Sequence, residues 1–256
     1  CIDGATPLAR YAAAVFRLQL GSSARWNDIQ HSAPHTIEDK GDTIEATPWQ
    51  TKTTKIGATT QCKILIAART SMANHHWWKP LLVGKASLDK AFPDMDFLLP
   101  QPTSGFHGYL LRPCQFNTAL KWMRQLLLQN GCSHQDAIDI TLHSLRLWLA
   151  ELAHLAKVPD ELRNSVGQWQ GGPKSMNTYT RDHRKMVLEV WHQVQTSGVA
   201  LLPPARSNVP VDLELIGTDQ DTTSTMPPTR TCDDNADDAT KDKDPKKRKL
   251  RKETPR

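Results

Sequence analysis

Apolar residues recur at helical spacing over most of residues 5–196, and beyond a proline-broken linker they almost vanish from Gly217 onward. Strand-like alternation is confined to a stretch between about 42 and 69, with one further extended piece at 94–99. That distribution predicts a mainly α chain with a small antiparallel sheet (α+β), followed by a segment with little to bury. Helices are expected over 5–24, 73–90 (interrupted at Pro80), 114–130, 141–157, 159–169 and 174–196. The first has Thr6 to cap it and Pro7 at its first position, and Gly131 closes the third. Strands are expected at 43–47 and 62–66, and a loop over 100–113. The domain reading is a folded unit over 1–198 and a disordered linker and basic tail over 199–256, where Pro, Thr and Asp dominate.

The tail also explains why hydrophobic residues reach only 38% of the chain. The formal net charge is +5, which permits a polyanionic partner without requiring one. Five scattered cysteines without a CxxC pair argue against a disulfide framework or a zinc knuckle. His75 and His76 are adjacent and lack a third ligand at a useful spacing, so no metal site is expected there. No apolar run is long enough to span a bilayer and no signal peptide is expected. The chain starts at Cys1 instead of Met, so a fragment of a longer product is expected. Pro245 precedes Lys246, Lys247, Arg248 and Lys249, a pattern that fits either a nuclear import signal or a polyanion-binding tail. The import reading is preferred, which places the protein in the nucleus with an import receptor as a partner.

Chemistry concentrates between His143 and Tyr179. His143 and Arg146 are three residues apart, so both project from one face of the 141–157 helix. Leu142, Leu145, Leu149, Leu152 and Ala153 can anchor that helix on its other side. Arginine grips phosphate oxygens through its planar fork, histidine moves protons near neutral pH, and tyrosine can attack as a nucleophile. The competing reading is an amphipathic helix with a surface His and Arg.

Arg17, Lys52, His143, Arg146, Trp169 and Tyr179, in this order, resemble the catalytic set of the tyrosine recombinases (the phage-integrase family). Arg17 precedes Arg25-Trp26-Asn27-Asp28-Ile29, Lys52-Thr53 stands between the two expected strands, and His143-Ser144-Leu145-Arg146 forms the H-x-x-R box. The resemblance covers most of 5–196 and is strongest to enzymes of eukaryotic mobile elements, DIRS-like retroelements and cryptons. The chain departs from the family pattern at Leu18-Gln19-Leu20, where an acidic residue is usual, and at Gly167-Gln168-Trp169, where Gly-His is usual. Only 16 residues precede Arg17, so the family's N-terminal DNA-clamping domain is expected to lie outside this chain.

The resemblance implies the tyrosine recombinase catalytic fold and cutting and rejoining of double-stranded DNA. Tyr179 would attack a backbone phosphorus, giving a 3′-phosphotyrosyl link and a free 5′-hydroxyl. His143 would accept the tyrosine proton, Arg17 and Arg146 would hold the non-bridging oxygens, and Lys52 would protonate the leaving oxygen. Lys55 competes with Lys52 for that role. Trp169 would donate its indole N–H to the phosphate or simply pack the site floor. Arg25, Lys55, Lys174 and Arg181 are the expected DNA-binding residues, and assembly as a homotetramer on DNA is implied. A type IB topoisomerase would use the same chemistry, and a non-catalytic nuclear DNA-binding remnant of a mobile element is the alternative from another class.

Overall fold

The computed structural model describes residues 5–50, 64–70, 76–167 and 179–197. All of them fall within one compact unit, Cys1–Val211. They form a mainly helical α+β arrangement with two small antiparallel sheets. Helix α1 (Pro7–Ser22) starts as the sequence dictates: the Thr6 hydroxyl accepts from the Ala9 N–H at 3.2 Å, and Pro7 fills a position that needs no donor. It ends at Ser23, which takes a left-handed conformation.

Helix α1 is the centre of the main core. Tyr11, Ala12, Ala14, Val15, Phe16, Leu18 and Gln19 are all buried, so burial runs well beyond the single apolar face that its periodicity suggests. A three-stranded sheet packs beside it, in the order β1 (Glu38–Asp39), β2 (Thr43–Ala46) and β3 (Leu65–Ala68). In β2–β3 register, Thr43 faces Ala68 and Ala46 faces Leu65. Strand β3 serves two cores by simple alternation. Leu65 and Ala67 join the core around α1, while Ile66 and Ala68 join a second core with Leu149, Leu152, Val187, Val190 and Trp191. The close approach of α1 to β3 depends on Gly21, where an added Cβ would lie 3.0 Å from the Ala67 Cβ.

Helix α2 (Trp26–Gln30) follows α1 at once and leads through a 3-10 turn at Pro34–Thr36 into the sheet. Its Gln30 side chain is buried and reads three backbone groups, donating to the Leu99 and Cys114 carbonyls and accepting from the Leu99 N–H. Helix α3 (Trp78–Ala91) starts later than the expected 73–90 helix and continues through Pro80. Proline is tolerated there because the first turn's N–H groups have no partner within a helix.

The expected loop at 100–113 is corrected, and the piece at 94–99, expected as a strand or simply extended, forms no strand. Residues 94–99 are irregular, whereas β4 (Pro100–Pro102) and β5 (Tyr109–Pro113) form a hairpin with Gly105 at φ 79 in its turn. Proline-rich sequence reads as loop, yet prolines are accommodated in a two-stranded ribbon whose outer edges need no donors.

Helices α4 (Phe116–Gln129), α6 (Leu142–Leu155), α7 (Asp160–Gly167) and α8 (Tyr179–Thr196) lie within the expected segments. The short α5 (His134–Asp139) was not expected, although Ser133 caps it through the Asp136 N–H in a recognisable S-x-x-D pattern. The expected strand start at 62–63, the Lys52–Lys55 segment, Trp169, Lys174 and the whole 199–256 tail lie outside the described residues. No described helix is long and apolar enough to cross a membrane.

Candidate functional site

Helix α6 is seated before its chemistry begins. Thr141 and Ser144 form a reciprocal capping box, so the first turn carrying His143 is fixed by side chain and backbone together. Leu142, Leu149, Leu152 and Ala153 are buried as anchors, and Trp148 packs on Trp191 of α8 with ring centroids 6.1 Å apart. Two further side chains position the start of the helix. Arg124 of α4 donates to the carbonyls of Ile138 and Ile140. Gln19 of α1, fully buried, donates through Nε2 to the Leu142 carbonyl at 2.9 Å. Gln19 belongs to the Leu18-Gln19-Leu20 segment near the end of α1. There it acts as a latch between α1 and α6.

His143 is exposed and Arg146 is half-buried on the same side of α6. Both line a cleft of about 610 Å³ together with Arg25, Trp26, Asn27, Asp28, His31, Gln50, Phe116 and Leu142. The cleft therefore gathers the end of the α1–α2 turn, the start of α6, the first residue of α4 and the chain just after β2.

Charge in this cleft is out of balance. Arg146 is held below the usual arginine range, first by burial, then by the nearby Arg25 cation, with Asp28 acting the other way. Arg25 and Arg146, set against the single Asp28 carboxylate, leave the cleft lining with a positive excess that suits an anion. Among the described residues, Arg146 Nε is buried and finds no hydrogen-bond partner, and the same holds for His31 Nδ1. A buried guanidinium N–H rarely goes unmatched. An anion with several acceptor oxygens would satisfy the Arg146 donor and offset the positive excess.

The expected site residues distribute as follows. His143 and Arg146 come together in the cleft, and Arg25, expected only to bind DNA, joins them. Arg17 does not line this cleft; it is half-buried on α1, and burial lowers its pKa. Tyr179 is the first residue of α8 and Arg181 lies in that helix's first turn. Helix α8 is tied to the sheet by Arg184, which donates to the buried Glu45 carboxylate at 2.5 Å. Lys52, Lys55, Trp169 and Lys174 lie outside the described residues.

Asp28, His31, Gln50 and Phe116 were not singled out from the sequence as site residues. Asp28 sat in plain view within Arg25-Trp26-Asn27-Asp28-Ile29, but the other three carry no local signal and reach the cleft only through tertiary packing. Among the described residues, no three His, Cys, Asp or Glu side chains cluster as metal ligands. Comparison of the chain with protein-family models, curated proteins and solved structures gives no significant match. The family resemblance therefore rests on the chain's own residues.

Proposed function

We propose that this chain cuts and rejoins DNA strands through a 3′-phosphotyrosyl intermediate at Tyr179, as a recombinase or integrase of a mobile element with the tyrosine recombinase fold. The observation that carries this reading is the buried, unmatched Arg146 Nε in a cleft shared with Arg25 and His143. A phosphodiester offers two non-bridging oxygens to that pair of arginines, and the charge that develops during in-line attack would strengthen both contacts.

Tyr179 needs a proton acceptor because a free phenol ionises near pH ~10. His143 is the acceptor in this proposal. The tyrosine oxygen forms its bond to phosphorus as the bond to the 5′-oxygen breaks, and Lys52 (or Lys55) supplies the proton that makes the 5′-hydroxyl. The reverse attack by a 5′-hydroxyl rejoins a strand, so the energy of the phosphodiester is kept in the phosphotyrosyl link. Assembly as a homotetramer on DNA, and nuclear entry through Lys246, Lys247, Arg248 and Lys249, belong to the same proposal.

The position of Arg17 favours a second reading. With Arg17 absent from the cleft lining, the chain would bind DNA in the nucleus without cutting it, as a remnant of a mobile element. Nicked duplexes that release a short fragment on cleavage separate the two. The proposed enzyme gives a protein–DNA adduct on a denaturing gel, and Tyr179→Phe and Arg146→Ala abolish it. Binding that is unchanged in Tyr179→Phe, with no adduct from the unaltered chain, would instead select the remnant.

A further inference from the structure

Trp49 is 53% exposed, although so large an apolar ring is ordinarily well covered. It is nevertheless firmly held. Its backbone N–H donates to the His31 carbonyl at 2.9 Å, and its indole N–H donates to the Asp96 carbonyl at 2.7 Å. The ring packs on His31 with centroids 4.7 Å apart and an interplanar angle of 55°. A β-bridge between Ser32 and Pro48 fixes the two segments to each other. The indole therefore keeps its orientation while half of its surface faces water.

Its neighbours place it beside the cleft already described. His31, on which the ring packs, and Gln50, the next residue in the chain, both line the cleft that holds Arg25 and Arg146. A fixed, half-exposed aromatic ring at the edge of a site for an anion suits a ligand that joins a flat apolar group to a phosphate. A nucleotide has that form. His31 packs against part of the ring, and a stacked nucleobase would cover more of it.

We propose that Trp49, backed by His31, is a stacking platform for one unpaired nucleobase beside the phosphate held by Arg25 and Arg146. The proposal rests on the reading of that cleft as a DNA phosphate site, and it deepens it. In an intact duplex both faces of a base are already stacked, so the platform favours DNA that is single-stranded, nicked or opened at this point. Every base has a π-face, so the preference is for strand state and not for sequence.

Fluorescence anisotropy of the full chain tests this with two labelled probes of equal length, an oligothymidylate and an abasic oligomer with the same phosphates. The unaltered chain is expected to bind the oligothymidylate roughly tenfold or more tightly, the scale of one base–aromatic stack. Trp49→Ala is expected to erase that preference. Trp49→Phe, which keeps a ring and loses the bond to Asp96, is expected to retain most of it. Arg146→Ala is expected to weaken both probes by the same factor. Equal affinity of the unaltered chain for the two probes, or a preference that survives Trp49→Ala, would overturn the platform and leave the phosphate site standing. Affinities unchanged by Arg146→Ala would overturn the phosphate site, and the platform with it.

Discussion

Arg146 concentrates the functional argument in one side chain. Its guanidinium is partly desolvated, lies near a second cation at Arg25, and leaves Nε unmatched among the described residues. If both arginines contact phosphates, each single alanine substitution should reduce the slope of log affinity against log salt for duplex DNA by about 1. Filter binding over a salt series measures it, and an unchanged slope would mean that neither cation meets the backbone.

Other residues fix the scaffold. A Cβ at Gly84 of α3 would stand 2.7 and 2.8 Å from Cγ and Cε2 of the Tyr11 ring, and closer still to Cδ2. That ring is buried, with its hydroxyl donating to the Leu98 carbonyl at 2.9 Å, so it has little room to yield. Gly84→Ala should destabilise the fold by roughly 1–3 kcal/mol, read as a lower urea midpoint. Cys114 sets an alkaline limit. Burial pushes its thiol up to about 12, and burial, with the nearby Asp89 charge second, also raises the Tyr11 phenol. Above about pH 9 the unfolded chain releases a Cys114 proton that the folded chain keeps. Fewer protons on the unfolded state mean that stability falls as pH rises from about 9 toward 12. Melting temperature should decline over that window, and Cys114→Ala should flatten part of the decline.

Among elements, α8 matters most because it begins at Tyr179 and rests on β3, α6 and α7. Val187, Val190 and Trp191 bury its apolar face, and Arg184 ties it to Glu45 of β2. Arg184→Met would leave the Glu45 carboxylate buried without that partner. The arginine side chain is 38% exposed, so water recovers part of the loss and the cost should be roughly 1–3 kcal/mol, below that of a fully buried pair. Adding Glu45→Gln to Arg184→Met should restore some of it in a denaturant titration; a further drop would show that Glu45 is stabilised by other groups.

The same elements show how far sequence reading reaches. Thr6-Pro7 and the apolar spacing of 114–130 and 141–157 are local signals, and α1, α4 and α6 lie within the segments they marked. The β4–β5 hairpin was missed because prolines 100, 102 and 113 stand in its two short strands and mask their strand pattern. Gln19 and Gln30 are polar residues in the core. Sequence alone cannot tell a buried glutamine from a surface one, since the carbonyls they satisfy at Leu142, Leu99 and Cys114 are far away in the chain. His143 and Arg146 were legible as a pair from their spacing, whereas the company of Arg25, His31 and Phe116 came from packing.

For the molecule as a whole, α1 at the centre of the main core and β3 shared between both cores make the cleft a product of the folded unit, assembled from α1–α2, α4 and α6. In the proposed reaction Tyr179 becomes joined to a DNA 3′-phosphate. Mass spectrometry of trypsin-digested adduct from nicked duplex tests it most directly. The account predicts a nucleotide mass on the peptide spanning residues 175–181, absent after Tyr179→Phe. A nucleotide on any other residue, or none on a chain that still binds the duplex, would contradict it.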